Sequence, residues 1–104
     1  MEFRETPTFT RRLTKLLSDE EYRAFQIAVV ENPELGPVIR GTGGVRKARW
    51  KTKHGGKSGG VRVVYYLTDA AEVCYLLFIF AKGEKDNLTK AQKNDLKKIV
   101  KALN

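Results

Sequence analysis

Arg62 stands in the segment "GGVRVVYYL", a cation in the middle of an otherwise apolar run. A long charged side chain is poorly placed there unless something anionic meets it. The plainer reading is an arginine that lays its stem on a sheet and sends its head to water or to an acid. The surroundings favour an external anion. No Asp or Glu occurs between Glu34 and Asp69, whereas Arg40, Arg46, Lys47, Arg49, Lys51, Lys53, Lys57 and Arg62 all do. These cations match the formal net charge of +8, so the remainder of the chain is formally neutral and the basicity is local. A concentrated positive field selects polyanions such as nucleic acid or acidic protein segments.

The chemistry such residues suit is the holding and polarising of a phosphodiester. In RNA the nucleophile is already present as the 2′-OH. A protein then has to align that hydroxyl with the neighbouring phosphate, stabilise the extra negative charge that develops, and move protons. Arginine suits the second task because its planar fork holds phosphate oxygens bidentately and stays charged. Lys82 and Lys85, which follow the apolar run "VCYLLFIFA", and His54, the only histidine, are candidates for the third. Their plainer readings are solvated lysines before a helix and an exposed histidine in a glycine-flanked loop. Arg46, Lys47, Arg49, Lys51, Lys53 and Lys57 read as sequence-independent phosphate contacts. Tyr65 and Tyr66 fall on opposite faces of a strand; one belongs to the core, and Tyr66 is the candidate to stack on a base. Trp50 reads as core.

Other chemistries lose support. There is no Walker-type glycine loop, no repeated CxxC, no HExxH, and no Ser/His/Asp spacing of a hydrolase. No metal site or cofactor is expected. Cys74, the single cysteine, sits within the apolar run and reads as a small buried residue, which fits a reducing cytosol. No apolar segment approaches the roughly 20 residues that span a bilayer, and the amino terminus carries no signal-like run. A soluble cytoplasmic protein is expected, with one domain over residues 1–104, long enough for a single core.

The elements that must position these residues are legible as periodicities. Phe9, Leu13, Leu16 and Leu17 have helical spacing, with Arg11, Arg12 and Lys15 elsewhere on the wheel. Ser18 and Glu21 form an S-x-x-E capping box that starts a second helix, carrying Tyr22, Phe25, Ala28 and Val29 inward until "ENPELGP" ends it. After Gly44 the period becomes two, placing Lys47, Arg49, Lys51 and Lys53 on one side of a strand and Arg46, Ala48 and Trp50 on the other. "HGGKSGG" then reads as a hairpin loop. In "VRVVYYLT" Arg62, Val64 and Tyr66 share one face, and Val61, Val63, Tyr65 and Leu67 the other. "VCYLLFIFA" is apolar throughout; its β-branched and aromatic content favours a central strand over a buried helix. Thr89 and Gln92 cap a last amphipathic helix through Leu96, Ile99, Val100 and Leu103. With "EFRE" as a candidate edge strand, this is an α+β domain: a helical hairpin packed on a small, mainly antiparallel sheet, with a C-terminal helix.

Taken together, "ENPELGPVIRGTGGVRKARW", "GGKSGGVRVVYYL" and "LLFIFAKGEKDNLTKAQ" resemble bacterial RelE-type toxins of type II toxin–antitoxin modules, most closely the HigB-like branch. The likeness runs from about Leu17 to Leu103. It implies a ribosome-dependent endoribonuclease that cleaves mRNA in the A site, neutralised by a cognate, HigA-like helix-turn-helix antitoxin. Carried over by position, it implies that Arg62 contacts the scissile phosphate, that Lys51 and Lys53 serve catalysis and RNA binding, and that Lys82 joins the basic cluster. The chain departs from the RelE pattern at Gly83, where relatives have an arginine, and at Thr89, where they have a tyrosine, so Lys82, Lys85 and His54 stand as substitutes. Two other readings stay open: a ParE-type toxin that blocks DNA gyrase, and a plain nucleic-acid-binding module.

Overall fold

The computed structural model describes residues 1–52, 60–84 and 88–103; Lys53, His54, Lys57 and Lys85 therefore lie outside the described residues. In chain order the elements are β1 (Glu2–Glu5), α1 (Pro7–Leu16), α2 (Asp19–Glu31), β2 (Arg46–Trp50), β3 (Val61–Leu67), β4 (Val73–Ala81) and α3 (Lys90–Leu103). Each helix start has a local cause. Thr6 accepts from the Phe9 N–H with Pro7 in the first turn, where a missing N–H costs nothing. At Ser18 the capping box closes in both directions. Thr89 and Gln92 make the same reciprocal pair, at 2.9 and 3.1 Å, ahead of α3.

The sheet has the order β1-β4-β3-β2, and "EFRE" is indeed an edge strand, parallel to β4. The two other pairings are antiparallel. Alternation in β3 gives its two faces to two separate cores. Val61, Val63 and Tyr65 join Ala48, Cys74, Leu76 and Ile79 under Phe9, Phe25 and Val29 of α1 and α2. Val64 and Tyr66 join Leu77 and Phe80 against Val100 of α3. Helices thus cover both faces, which is why β4 carries apolar residues along its whole length.

One irregularity makes this possible. Val64 pairs with Phe78 but Tyr65 pairs with Leu76, so Leu77 is an extra residue in β4. Such a bulge interrupts strict alternation. Leu77 and Phe78 consequently both serve the α3 core, while Leu76 and Ile79 on either side serve the other.

β2 is shorter than its alternating pattern suggests. It ends at Trp50, and Lys51 lies beyond it. The cause is Gly60, whose φ is +64° and whose α-carbon is packed so tightly on the Trp50–Lys51 backbone that a Cβ there would sit 2.1 Å from the Trp50 carbonyl oxygen. Only glycine fits this approach.

Candidate functional site

The register of the β2–β3 hairpin decides which cations meet. Arg49 is the Cα partner of Arg62, and Lys47 of Val64. Directly opposed residues project from the same face, with Cβ atoms about 5 Å apart. Arg49 and Arg62 therefore stand side by side on the α3 face, at the end of the sheet where β3 begins. Arg49 is exposed; Arg62 is half-buried, with a guanidinium N–H donating to the Val61 carbonyl at 3.4 Å. Like charges placed directly across a strand pair are destabilising in the free protein. A bound anion reverses that sign.

Two further cations border the pair through the backbone of Gly60. On one side lies Lys51, whose Cα would be 2.9 Å from a Cβ at position 60. On the other side the Lys82 N–H donates to the Gly60 carbonyl at 3.2 Å. Both lysines are exposed. Arg49, Lys51, Arg62 and Lys82 thus belong to one end of the sheet, with Lys47 one step behind. Lys82 occupies the corner of a turn in which the Glu84 N–H donates to the Ala81 carbonyl at 3.1 Å and Gly83 has φ +92°. A left-handed third position is the mark of a type II turn and calls for glycine. This accounts for Gly83 at a position where an arginine would be strained.

Two expected members, Arg46 and Tyr66, are elsewhere, as is Arg40 of the same basic segment. Arg46 projects to the α1–α2 side: it donates to the Gly36 carbonyl at 2.8 Å and lies 3.7 Å from the Glu34 carboxylate. Those contacts tie the segment before β2 to the sheet. Arg40 follows Ile39, whose N–H donates to the Val45 carbonyl, and so sits at the opposite end of β2 from Arg49. Tyr66 is only 4% exposed and packs in the α3 core, with its ring beside Gly44. That burial leaves little of its ring for a base to stack on. Its neighbour Tyr65 is fully buried, and its hydroxyl accepts from the Gly36 N–H at 2.9 Å and donates to the Pro33 carbonyl at 3.0 Å. Burial pushes its pKa upward. Trp50 is core as expected, edge-on to Phe25 at 5.4 Å.

Among the described residues no group of three His, Cys, Asp or Glu is placed to hold a metal ion, and no helix is long and apolar enough to cross a membrane. Burial also removes the Cys74 thiol from use as a nucleophile, since it is enclosed and pushed up to about 12.

The family model described as the RelE toxin of the RelE / RelB toxin–antitoxin system matches residues 8–104. The chain belongs to the RelE family of toxins. Solved structures carry the same fold. The E. coli RelBE toxin–antitoxin complex is matched at TM-score 0.60 and 22% identity, over 81% of this chain and 98% of that one. The isolated E. coli RelE toxin gives 0.58 and 20%, over 94% and 97%. A doubly substituted E. coli RelE in the free state gives 0.56 and 20%, over 80% and 83%. Three helices on a four-stranded mixed sheet are thus shared with RelE, and the Arg49–Arg62 pair stands on that fold.

Proposed function

We propose that this RelE-family toxin is a ribosome-dependent endoribonuclease that cleaves mRNA in the A site and so stops translation. The observation that carries the reading is the Arg49–Arg62 pair across β2 and β3, with Lys51 and Lys82 beside it. In the reaction the 2′-oxygen attacks the adjacent phosphorus and its proton passes to a base. The phosphorane gains negative charge, the bond to the 5′-oxygen breaks, and that oxygen takes a proton. A 2′,3′-cyclic phosphate and a 5′-OH result. Arg62 and Arg49 hold the phosphate oxygens and oppose the developing charge, an effect that grows toward the transition state. Lys51 and Lys82 add to the field, Lys47, Lys53 and Lys57 contact the flanking backbone, and His54 and Lys85 are the proposed proton carriers.

Dependence on the ribosome follows from this division of labour. Cations hold a phosphate but do not by themselves impose the in-line geometry between the 2′-oxygen and the departing 5′-oxygen. Bound mRNA held in the A site arrives with its conformation restricted, which supplies alignment that is otherwise entropically costly. A cognate antitoxin is the proposed protein partner, supported by the family match and by the RelBE complex among the similar folds. The HigB-like motifs favour a helix-turn-helix antitoxin of the HigA type.

The test is cleavage of a defined mRNA on programmed ribosomes, with 5′ ends mapped. Cuts at A-site codons on ribosomes, and none on the same RNA alone, are expected. Intact transcripts together with loss of gyrase supercoiling would instead identify a ParE-type toxin. Binding without either effect would leave a nucleic-acid-binding module.

A further inference from the structure

β1 covers only part of the edge of β4. Its four residues pair with Val73 to Leu76, and the strand runs on to Ala81. Unpaired backbone groups on that extension need partners. Side chains supply them. The Thr6 hydroxyl donates to the Leu77 carbonyl at 2.9 Å, and Arg12 Nε donates to the Ile79 carbonyl at 2.7 Å. Glu84 Oε1 accepts from the Ala81 N–H at 2.9 Å. Arg12 and Glu84 also join each other, through Nη2 and Oε2, and the Arg12 guanidinium lies 5.4 Å from the centroid of the Phe78 ring. Arg12, which helical periodicity assigns to the outside of α1, is therefore half-buried and bound to the sheet.

We propose that Arg12 is a positioning residue for the candidate site, acting through Glu84 on the turn that presents Lys82. The inference rests on the reading of Lys82 as a site cation. Glu84 closes its turn twice: its N–H donates to the Ala81 carbonyl, and its carboxylate accepts from the Ala81 N–H. The carboxylate is held at both oxygens, by the Ala81 N–H at Oε1 and by Arg12 at Oε2. Arg12 is anchored in turn to the carbonyl two residues upstream of Ala81. One guanidinium thus spans the last residues of β4 and the turn beyond them. The planar fork is suited to two acceptors in fixed geometry, and lysine is not an equivalent. Releasing this brace lets residues 82–84 sample other turns and loosens the hold on the backbone that carries Lys82 beside Gly60.

The experiment has two arms on the full-length protein. In the first, backbone amide exchange is measured for the wild type, Arg12→Gln and Glu84→Gln. Loss of a charge-assisted bond should speed exchange at Ala81 about tenfold or more, with Val63 in the core unchanged. In the second, cleavage on programmed ribosomes is compared for Arg12→Gln, Lys82→Ala and the double variant. Arg12→Gln should lower kcat about tenfold with KM unchanged, and Arg12→Lys should not restore it. In the Lys82→Ala background the same substitution should add less than about twofold, because residues acting through one group are not additive. Unchanged exchange at Ala81, or effects of Arg12 and Lys82 that simply multiply, would overturn the positioning role. A wild-type protein that cuts nothing would instead overturn the proposed function, and the exchange arm would still judge the brace.

Discussion

Replacing Arg49 by Gln should make the protein more stable and less active, and the two effects come from the same geometry. Arg49 and Arg62 are directly opposed in the antiparallel register. Guanidinium groups on such a pair stand roughly 8 Å apart, a repulsion of about 2 kcal/mol at an effective dielectric of 20 and about 0.5 kcal/mol at that of water. Arg49 is exposed, so solvent and salt screening favour the smaller figure. Relief of about 0.5 kcal/mol raises Tm by about 2–4 °C in a domain of this size. Because the chain carries a net charge of +8, removing an exposed cation relieves some long-range repulsion wherever that cation sits. Lys101→Gln, the same charge change on the exposed side of α3, supplies the control and should shift Tm less. Both differences should vanish in about 1 M salt, where the screening length falls to about 3 Å.

On the functional side, Gln loses a charge-assisted bond to phosphate worth about 1.5–3 kcal/mol, which is about a 10- to 150-fold fall in the cleavage rate on programmed ribosomes. Inorganic phosphate should raise the Tm of the wild type more than that of Arg49→Gln. A Tm that falls in Arg49→Gln would contradict this repulsion, since it would mean the guanidinium stabilises the free fold. An unchanged cleavage rate would remove Arg49 from the site.

Gly60→Ala should cost at least about 3 kcal/mol and lower Tm by about 12 °C or more, because it combines a left-handed φ with a backbone clash at 2.1 Å; a melt within a few degrees of wild type would contradict the close approach. Tyr65→Phe should cost about 1–3 kcal/mol in urea unfolding, since the Gly36 N–H and Pro33 carbonyl both lose a buried partner, while cleavage stays near wild type. Burial raises the Cys74 thiol from 9.0 to about 12, so its contribution is fully present below pH 9 and lost above it, as the unfolded chain ionises first; stability should fall by about 1.4 kcal/mol per pH unit in that window from this group alone, and Cys74→Ala should flatten the slope.

The elements were open to sequence reasoning because each has a local cause. Ser18 with Glu21 and Thr89 with Gln92 announce two helices by short-range hydrogen bonds. The alternation of "VRVVYY" assigns Arg62 and Tyr65 to opposite faces without knowledge of the partner strands. What could not be read depends on distant contacts. Tyr66 looks available to a base until α3, more than twenty residues later, closes over its face with Val100. Arg12 looks solvated on the wheel of α1 until the unpaired edge of β4 arrives beside it. The end of β2 at Trp50, which leaves Lys51 outside the ladder, follows from the close packing of Gly60 rather than from any periodicity.

The acid-free belt is consequently not one surface, and its division shows what specifies the site. Alternation sends Arg46 to the α1–α2 side, where Glu34 and the Gly36 carbonyl receive it, and sends Lys47 and Arg49 to the side of Arg62. A one-residue slip of β2 would exchange these sets. Arg49, which is exposed, offers little resistance to such a slip, whereas the half-buried Arg46 would give up its contacts with the Gly36 carbonyl and Glu34. Ala48 and Trp50 resist it, since they pack among Val61, Val63 and Phe25 and would be turned outward. The apolar residues between the cations therefore hold the register that pairs Arg49 with Arg62. Substituting Trp50 by a polar residue should loosen that register and lower phosphate affinity, although Trp50 itself lies on the opposite face of the sheet from Arg49 and Arg62.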